Sequence, residues 1–140
     1  MGSDAFATPV VEALHASHHQ LLACVTQPDR PSGRGRQLAA CPVKSCAEAA
    51  GIPVMTPERV GDAYDELRAL APDLIVVAAY GQFIPRRIIE LPPLGCINIH
   101  PSLLPRYRGA APIQWAIANG ETETGVTILD VSERMDAGPI

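Results

Sequence analysis

Asn98 and His100 stand two positions apart in the run GCINIH, residues 95–100, which breaks at Pro101. Side chains two apart on a strand point to one face. An amide and an imidazole are therefore expected side by side at the carboxyl end of a strand. Together they can hold a developing oxyanion and handle protons. A plain hydrogen-bonded pair inside a sheet is the competing reading. Asp136, in the glycine-containing run MDAGPI, supplies a carboxylate from the neighbouring strand end. An acid beside a histidine fixes the orientation of the ring. Three polar groups at one sheet edge weigh against the bland reading.

The elements that must position these groups alternate along the chain. Residues 9–17 read as a helix, with Pro9 in its first turn and Val10, Val11 and Leu14 at core spacing. Residues 21–26, LLACVT, read as a strand. Residues 27–42 carry three prolines, two glycines and three arginines and read as a loop. Helices follow at 43–50, stopped by Gly51, and at 62–70, ended before Pro72, with a brief strand at 52–55 between them. Residues 73–80, DLIVVAAY, form a continuous apolar strand, as a parallel sheet buried on both faces requires. A short helix at 85–90, the strand 95–100, a helix at 111–119 and a strand at 125–131 complete the order. Alternation of this kind predicts one α/β domain over residues 1–140, a Rossmann-like, doubly wound, mostly parallel sheet. Ligands then bind beyond the carboxyl ends of the strands.

Composition narrows the class. The chain has 140 residues, 47% hydrophobic and 19% charged, in keeping with a globular domain. No apolar run approaches the ~20 residues that span a bilayer. The opening Met1-Gly2-Ser3-Asp4 lacks the basic and apolar regions of an export signal. A cytoplasmic monomer without membrane contact is expected. The four cysteines, at 24, 41, 46 and 96, have no Cys-x-x-Cys spacing and read as structural thiols. Net charge is −4, yet Arg30, Arg34, Arg36 and Lys44 fall in a window, residues 30–44, that holds no acid. Such a loop either binds phosphates locally or is simply solvated.

Two other groupings carry less. His15, His18 and His19 have helical spacing, but no carboxylate or cysteine joins them, so no metal site is expected. Ser102 with His100 and Asp136 could suggest a hydrolase triad, but the Gly-x-Ser-x-Gly elbow is missing.

The stretch CINIHPSLLPRYRGAAP, residues 96–112, resembles the signature of folate-dependent formyltransferases. Asp136 in MDAGPI matches that family's catalytic aspartate, and VVAAYGQFIP, residues 76–85, is similar to its folate-pocket segment. The resemblance implies catalysis by Asn98, His100 and Asp136. It implies folate contacts from Tyr80, Gly81, Ile84, Pro85, Ser102, Leu103, Leu104 and Pro105. Residues 26–44, TQPDRPSGRGRQLAACPVK, resemble a loop of methionyl-tRNA formyltransferases that enters the acceptor end of initiator tRNA. That assigns tRNA contacts to Arg34, Arg36, Arg30 and Lys44, with Arg34 at the position of the recognition arginine. The implied reaction takes formyl from 10-formyltetrahydrofolate to the amine of methionyl-initiator tRNA, without a metal.

The opening departs from the family pattern. Residues 1–7 align with a turn that follows a first strand, and Ser3-Asp4-Ala5 replaces Thr-Pro. The first strand, the later elements of the domain and a C-terminal tRNA-binding barrel are expected to be absent. Two alternatives follow: a formyltransferase for another amine, such as glycinamide ribonucleotide or a sugar nucleotide, and an inactive fragment.

Overall fold

The computed structural model describes residues 1–32 and 37–140, with Ser32 and Gln37 described by backbone alone. Helices α1 (Thr8–Ala16), α2 (Pro42–Ala49), α3 (Tyr64–Leu70), α4 (Arg86–Ile89) and α5 (Pro112–Ala118) alternate with strands. The strands are β1 (Cys24–Val25), β2 (Arg30–Ser32), β3 (Gln37–Ala39), β4 (Val54–Met55), β5 (Ile75–Val77), β6 (Cys96–His100) and β7 (Thr127–Asp130). Proline opens α1, α2 and α5 at positions where a missing N–H costs nothing.

The main sheet is built from β4–β1 and β5–β6–β7. Residues 1–3 join the two parts. The N–H of Gly2 donates to the Val25 carbonyl at 3.0 Å, and that of Ala78 donates to the Met1 carbonyl at 2.9 Å. Gly2 also bridges Ala78 in parallel register. β1 and β5 are therefore tied together at their carboxyl ends. Gly2 makes this possible, since a Cβ there would lie 2.7 Å from the Ala78 carbonyl oxygen.

Both faces of the sheet are covered at β1 and β5, as a doubly wound fold requires, while β7 leaves Ile128 exposed on one face. Val25, Ile75 and Val77 pack with Val60 and Ala63, Leu67 of α3 and Ile88 of α4. Cys24 and Ala78 pack on the other face with Val11 of α1 and Val43 and Ala47 of α2. Adjacent residues Cys24/Val25 and Val77/Ala78 thus feed opposite cores, which is the period-two geometry of a strand.

Two features depart from the sequence reading. Residues 27–42 are not all loop: β2 and β3 form an antiparallel hairpin with Arg30 opposite Ala39. Prolines and glycines mark turns strongly enough to mask so short a pairing. Strand β7 runs antiparallel to β6, with Thr127 opposite His100. Its end therefore points away from the carboxyl edge of β6, and Asp136 reaches that edge only through a return loop. The loop is tied back where the Asp130 N–H donates to the Pro139 carbonyl at 2.8 Å.

Candidate active site

Parallel pairing of β5 with β6 sets Val77 opposite Asn98. Two residues further, His100 ends its strand level with the turn Ala79–Tyr80–Gly81 that leaves β5. Asn98 is half-buried and His100 is 4% exposed, so both groups act away from bulk water.

Asp136 gathers the site. Its Oδ1 accepts from Asn98 Nδ2 at 3.1 Å. Its Oδ2 accepts from the Gly109 backbone N–H at 2.8 Å and lies 3.5 Å from His100 Nδ1. Asp136 sits in the left-handed region at φ 46°, uncommon for a residue with a side chain. The two accepted hydrogen bonds hold it there. On the far side of the ring, His100 Nε2 donates to the Tyr107 carbonyl at 2.8 Å. A carbonyl only accepts, so Nε2 carries hydrogen. Asn98 Nδ2 and His100 Nδ1 thus converge on one spot from two directions. With hydrogen already on Nε2, Nδ1 donates there when the ring takes a second proton, and the pair then offers the two donors an oxyanion needs.

The strand ends also enclose a cleft of about 490 Å³ lined by Ser3, Gln27, Arg30, Cys41, Ala79 and Gly81, among others. A polar clasp closes its floor. Ser3 Oγ and Gln27 Nε2 both donate to the Tyr80 carbonyl, at 3.3 and 2.8 Å. Gly81, at φ 77°, leaves room for the Gln27 amide, which a Cβ would meet at 2.4 Å. A second cleft, about 410 Å³, runs between α4 and the stretch leading to Asp136. Arg86, Ile89, Glu90, Val131, Ser132, Glu133 and Arg134 line it. None of these was among the site residues expected from the sequence, because α4 and residues 131–134 meet only through the return loop.

The residues expected to touch folate fall in different environments. Tyr80 and Gly81 line the first cleft, but the Tyr80 ring is core. Its hydroxyl finds no partner among the described residues, and burial pushes the phenol pKa up to about 12. Ile84 and Ser102 are buried, and Pro85 is the N-cap of α4. Leu103 and Pro105 are exposed and Leu104 half-buried. Ser102 Oγ donates to the Arg106 carbonyl at 2.7 Å, a structural bond rather than a nucleophile's.

Of the basic residues, Arg30 is exposed on the first cleft. Lys44 is held by Asp29, with Nζ 2.8 and 2.9 Å from the two carboxylate oxygens, and this partner raises its pKa. Its charge is therefore compensated within the fold, by an acid one residue outside the window read as acid-free. Arg34 and Arg36 lie outside the described residues. Among the described residues, no group of three or more His, Cys, Asp or Glu could hold a metal. No helix there is long and apolar enough to cross a membrane. Cys24 and Cys96 are buried, and burial pushes the Cys96 thiol up to about 11.

A protein-family model described as formyl transferase matches residues 1–140, so the match covers every element of this site. The chain belongs to the formyl transferase family. Within the family it is 55% identical, over its whole length, to the methionyl-tRNA formyltransferases of Syntrophus aciditrophicus and Pelobacter propionicus. The matched region is 46% and 44% of those two proteins, so the chain spans less than half the length of the curated relatives it matches. Among solved structures, phosphoribosylglycinamide formyltransferase from Bacillus halodurans superposes with TM-score 0.77 at 22% identity, covering 99% of this chain and 73% of that one. Glycinamide ribonucleotide transformylase 1 from Geobacillus kaustophilus gives TM-score 0.71 at 28% identity, covering 99% and 74%. The fold is thus shared with formyltransferases named for glycinamide ribonucleotide.

Proposed function

We propose that this chain carries the transfer site of a methionyl-tRNA formyltransferase, moving formyl from 10-formyltetrahydrofolate to the amine of methionyl-initiator tRNA. The observation that carries this reading is the convergence of Asn98 Nδ2 and His100 Nδ1 on the Asp136 carboxylate. An incoming formyl oxygen meets the Asn98 amide and, with the ring as imidazolium, the His100 Nδ1–H where the carboxylate now rests. The folate supplies an activated formyl carbon. Asn98 and His100 hold the oxygen as negative charge develops on it, which is worth most in a water-poor site. Asp136, displaced from the donors, takes the proton that the attacking amine must lose. The new bond joins amine nitrogen to formyl carbon, the carbon–nitrogen bond to folate breaks, and the proton passes to the leaving nitrogen. This chemistry needs no metal.

The two clefts support a division of labour. The first is walled by Arg30 and the basic loop of residues 26–44, so the aminoacyl end of tRNA fits there. Arg34 and Arg36 belong to the same basic run of the sequence. The second cleft flanks the segment that carries Asp136 and opens beside Pro85, the N-cap of α4 and one of the residues read as folate contacts. The folate is therefore assigned there, with Tyr80 and Gly81 on the first cleft left to the tRNA side. Identity of 55% to relatives named for methionyl-tRNA favours that amine over glycinamide ribonucleotide. A competition assay of the whole protein tests the choice. Methionyl-initiator tRNA, glycinamide ribonucleotide and an amino-sugar nucleotide are offered together with labelled donor. Label is expected on the tRNA, and label mainly on either small amine would overturn the assignment.

A further inference from the structure

We propose that Glu121 is a positioning residue for His100, acting through Tyr107. The inference rests on reading Asn98, His100 and Asp136 as the transfer site. Residues 101–111 leave β6 and fold back over the imidazole. Their base is pinned to β7, since Thr127 Oγ1 donates to the Ser102 carbonyl at 2.7 Å and accepts from the Leu104 N–H at 3.1 Å. Their tip has a different anchor. Tyr107 adopts φ 56°, a conformation few residues with a side chain take, and so turns its carbonyl onto His100 Nε2. Its hydroxyl donates to Glu121 Oε1, and Asn119 Nδ2 donates to that hydroxyl at 3.2 Å. Arg106 pairs with the same Glu121 oxygen, and its guanidinium lies 5.4 Å from the Tyr107 ring centroid.

Glu121 is well placed to act as the fixed point. Its side chain is 19% exposed, and its own N–H donates to the Ala116 carbonyl at the end of α5. The carboxylate therefore ties the tip of the loop to a helix end. Without it, nothing on the Tyr107 side chain but the Asn119 amide and the Arg106 stack holds the backbone in its left-handed turn. The Tyr107 carbonyl is the partner recorded for His100 Nε2. That contact keeps hydrogen on Nε2 and points Nδ1, where the ring takes its second proton, at the reaction side. At metal-bound histidines, partners of this outer kind set ring orientation and their loss costs roughly 10–100-fold; a loss at the low end of that range is expected for His100. Glu121 itself touches neither the Asp136 carboxylate nor Asn98.

The test uses the full chain and two readouts. Long-range nitrogen–proton NMR spectra report which His100 nitrogen is protonated, and transfer kinetics report kcat and KM for donor and amine. Glu121→Ala and Tyr107→Phe are expected to blur the fixed His100 tautomer and to lower kcat roughly 10-fold with both KM values unchanged. Glu121→Gln keeps an oxygen for the Tyr107 hydroxyl and should restore most of the rate, while folding is followed by thermal melting. A fall in kcat with an unchanged His100 spectrum would overturn the proposal. A changed spectrum with unchanged kcat would instead overturn the reading of His100 in transfer, leaving the positioning contact standing.

Discussion

The corner of Asn98, His100 and Asp136 and the wall formed by residues 26–31 and 38–44 border the same sheet edge but follow opposite rules. At the corner, polar groups are turned inward on one another: Asn98 on Asp136, Gly109 on Asp136, His100 on Tyr107. On the wall, Lys44 is neutralised by Asp29, while Arg30 stays exposed on the cleft. The difference is the one the proposed roles require. Oxyanion stabilisation depends on donors fixed in place and kept from water. Phosphate contacts depend on charge that solvent and counterions can reach. Substitutions at the corner should therefore act on the rate of transfer, and substitutions on the wall on tRNA use and its salt dependence.

The largest effect is expected for Asp136→Asn. The new amide would present its NH₂ to one of the donors Asn98, His100 or Gly109, and the proton acceptor would be lost. Turnover of the whole protein should fall roughly 10²–10⁴-fold in a formyl-transfer assay, with melting temperature little changed. Gly138→Ala tests whether the return loop positions that carboxylate. A Cβ at Gly138 would lie 1.9 Å from the Asp130 carbonyl oxygen, so the segment carrying Asp136 must move. A loss of roughly 10²-fold is expected, as for a misplacement of about 1 Å, and unaltered turnover would show the loop to be forgiving.

Smaller effects belong to the wall. Arg34→Ala should weaken use of initiator tRNA about 10-fold, as loss of a charged hydrogen bond would, while folate binding holds. Arg30→Ala should do less and should reduce the slope of log affinity against log salt by about 1. Equal effects on folate and tRNA would erase the proposed division between corner and wall. Smallest is Tyr80→Phe, which removes a buried hydroxyl without a partner. It should leave the Tyr80 carbonyl clasp intact and leave stability unchanged or raise it by about 1 kcal/mol in denaturant unfolding.

The sequence was most readable where chemistry depends on local spacing. Asn98 and His100 share a strand face and stop at Pro101, so their pairing could be seen before any coordinates. The alternation of helix and strand was equally visible, because apolar runs such as residues 73–80 suit only a sheet covered on both sides. Asp136 was legible by its resemblance to the formyltransferase motif but not by its route. Nothing in MDAGPI says that β7 runs antiparallel and that the loop must double back. The Lys44–Asp29 pair and the chain from Glu121 through Tyr107 to His100 were hidden for the same reason. They join residues 15, 14 and 7 positions apart, across turns whose geometry the residue types alone do not set.

The central claim is that Asn98 and His100 hold the oxyanion of a formyl transfer. Its most direct test is Asn98→Ala in the whole protein, followed by single-turnover transfer from 10-formyltetrahydrofolate to methionyl-initiator tRNA alongside equilibrium binding of the donor. Loss of one oxyanion donor should slow transfer roughly 10²–10³-fold. Donor affinity should stay within about twofold, because the interaction belongs to the transition state. A variant keeping more than about half of its transfer rate would remove Asn98 from the mechanism, and a rate loss explained wholly by weaker donor binding would reduce it to a folate contact.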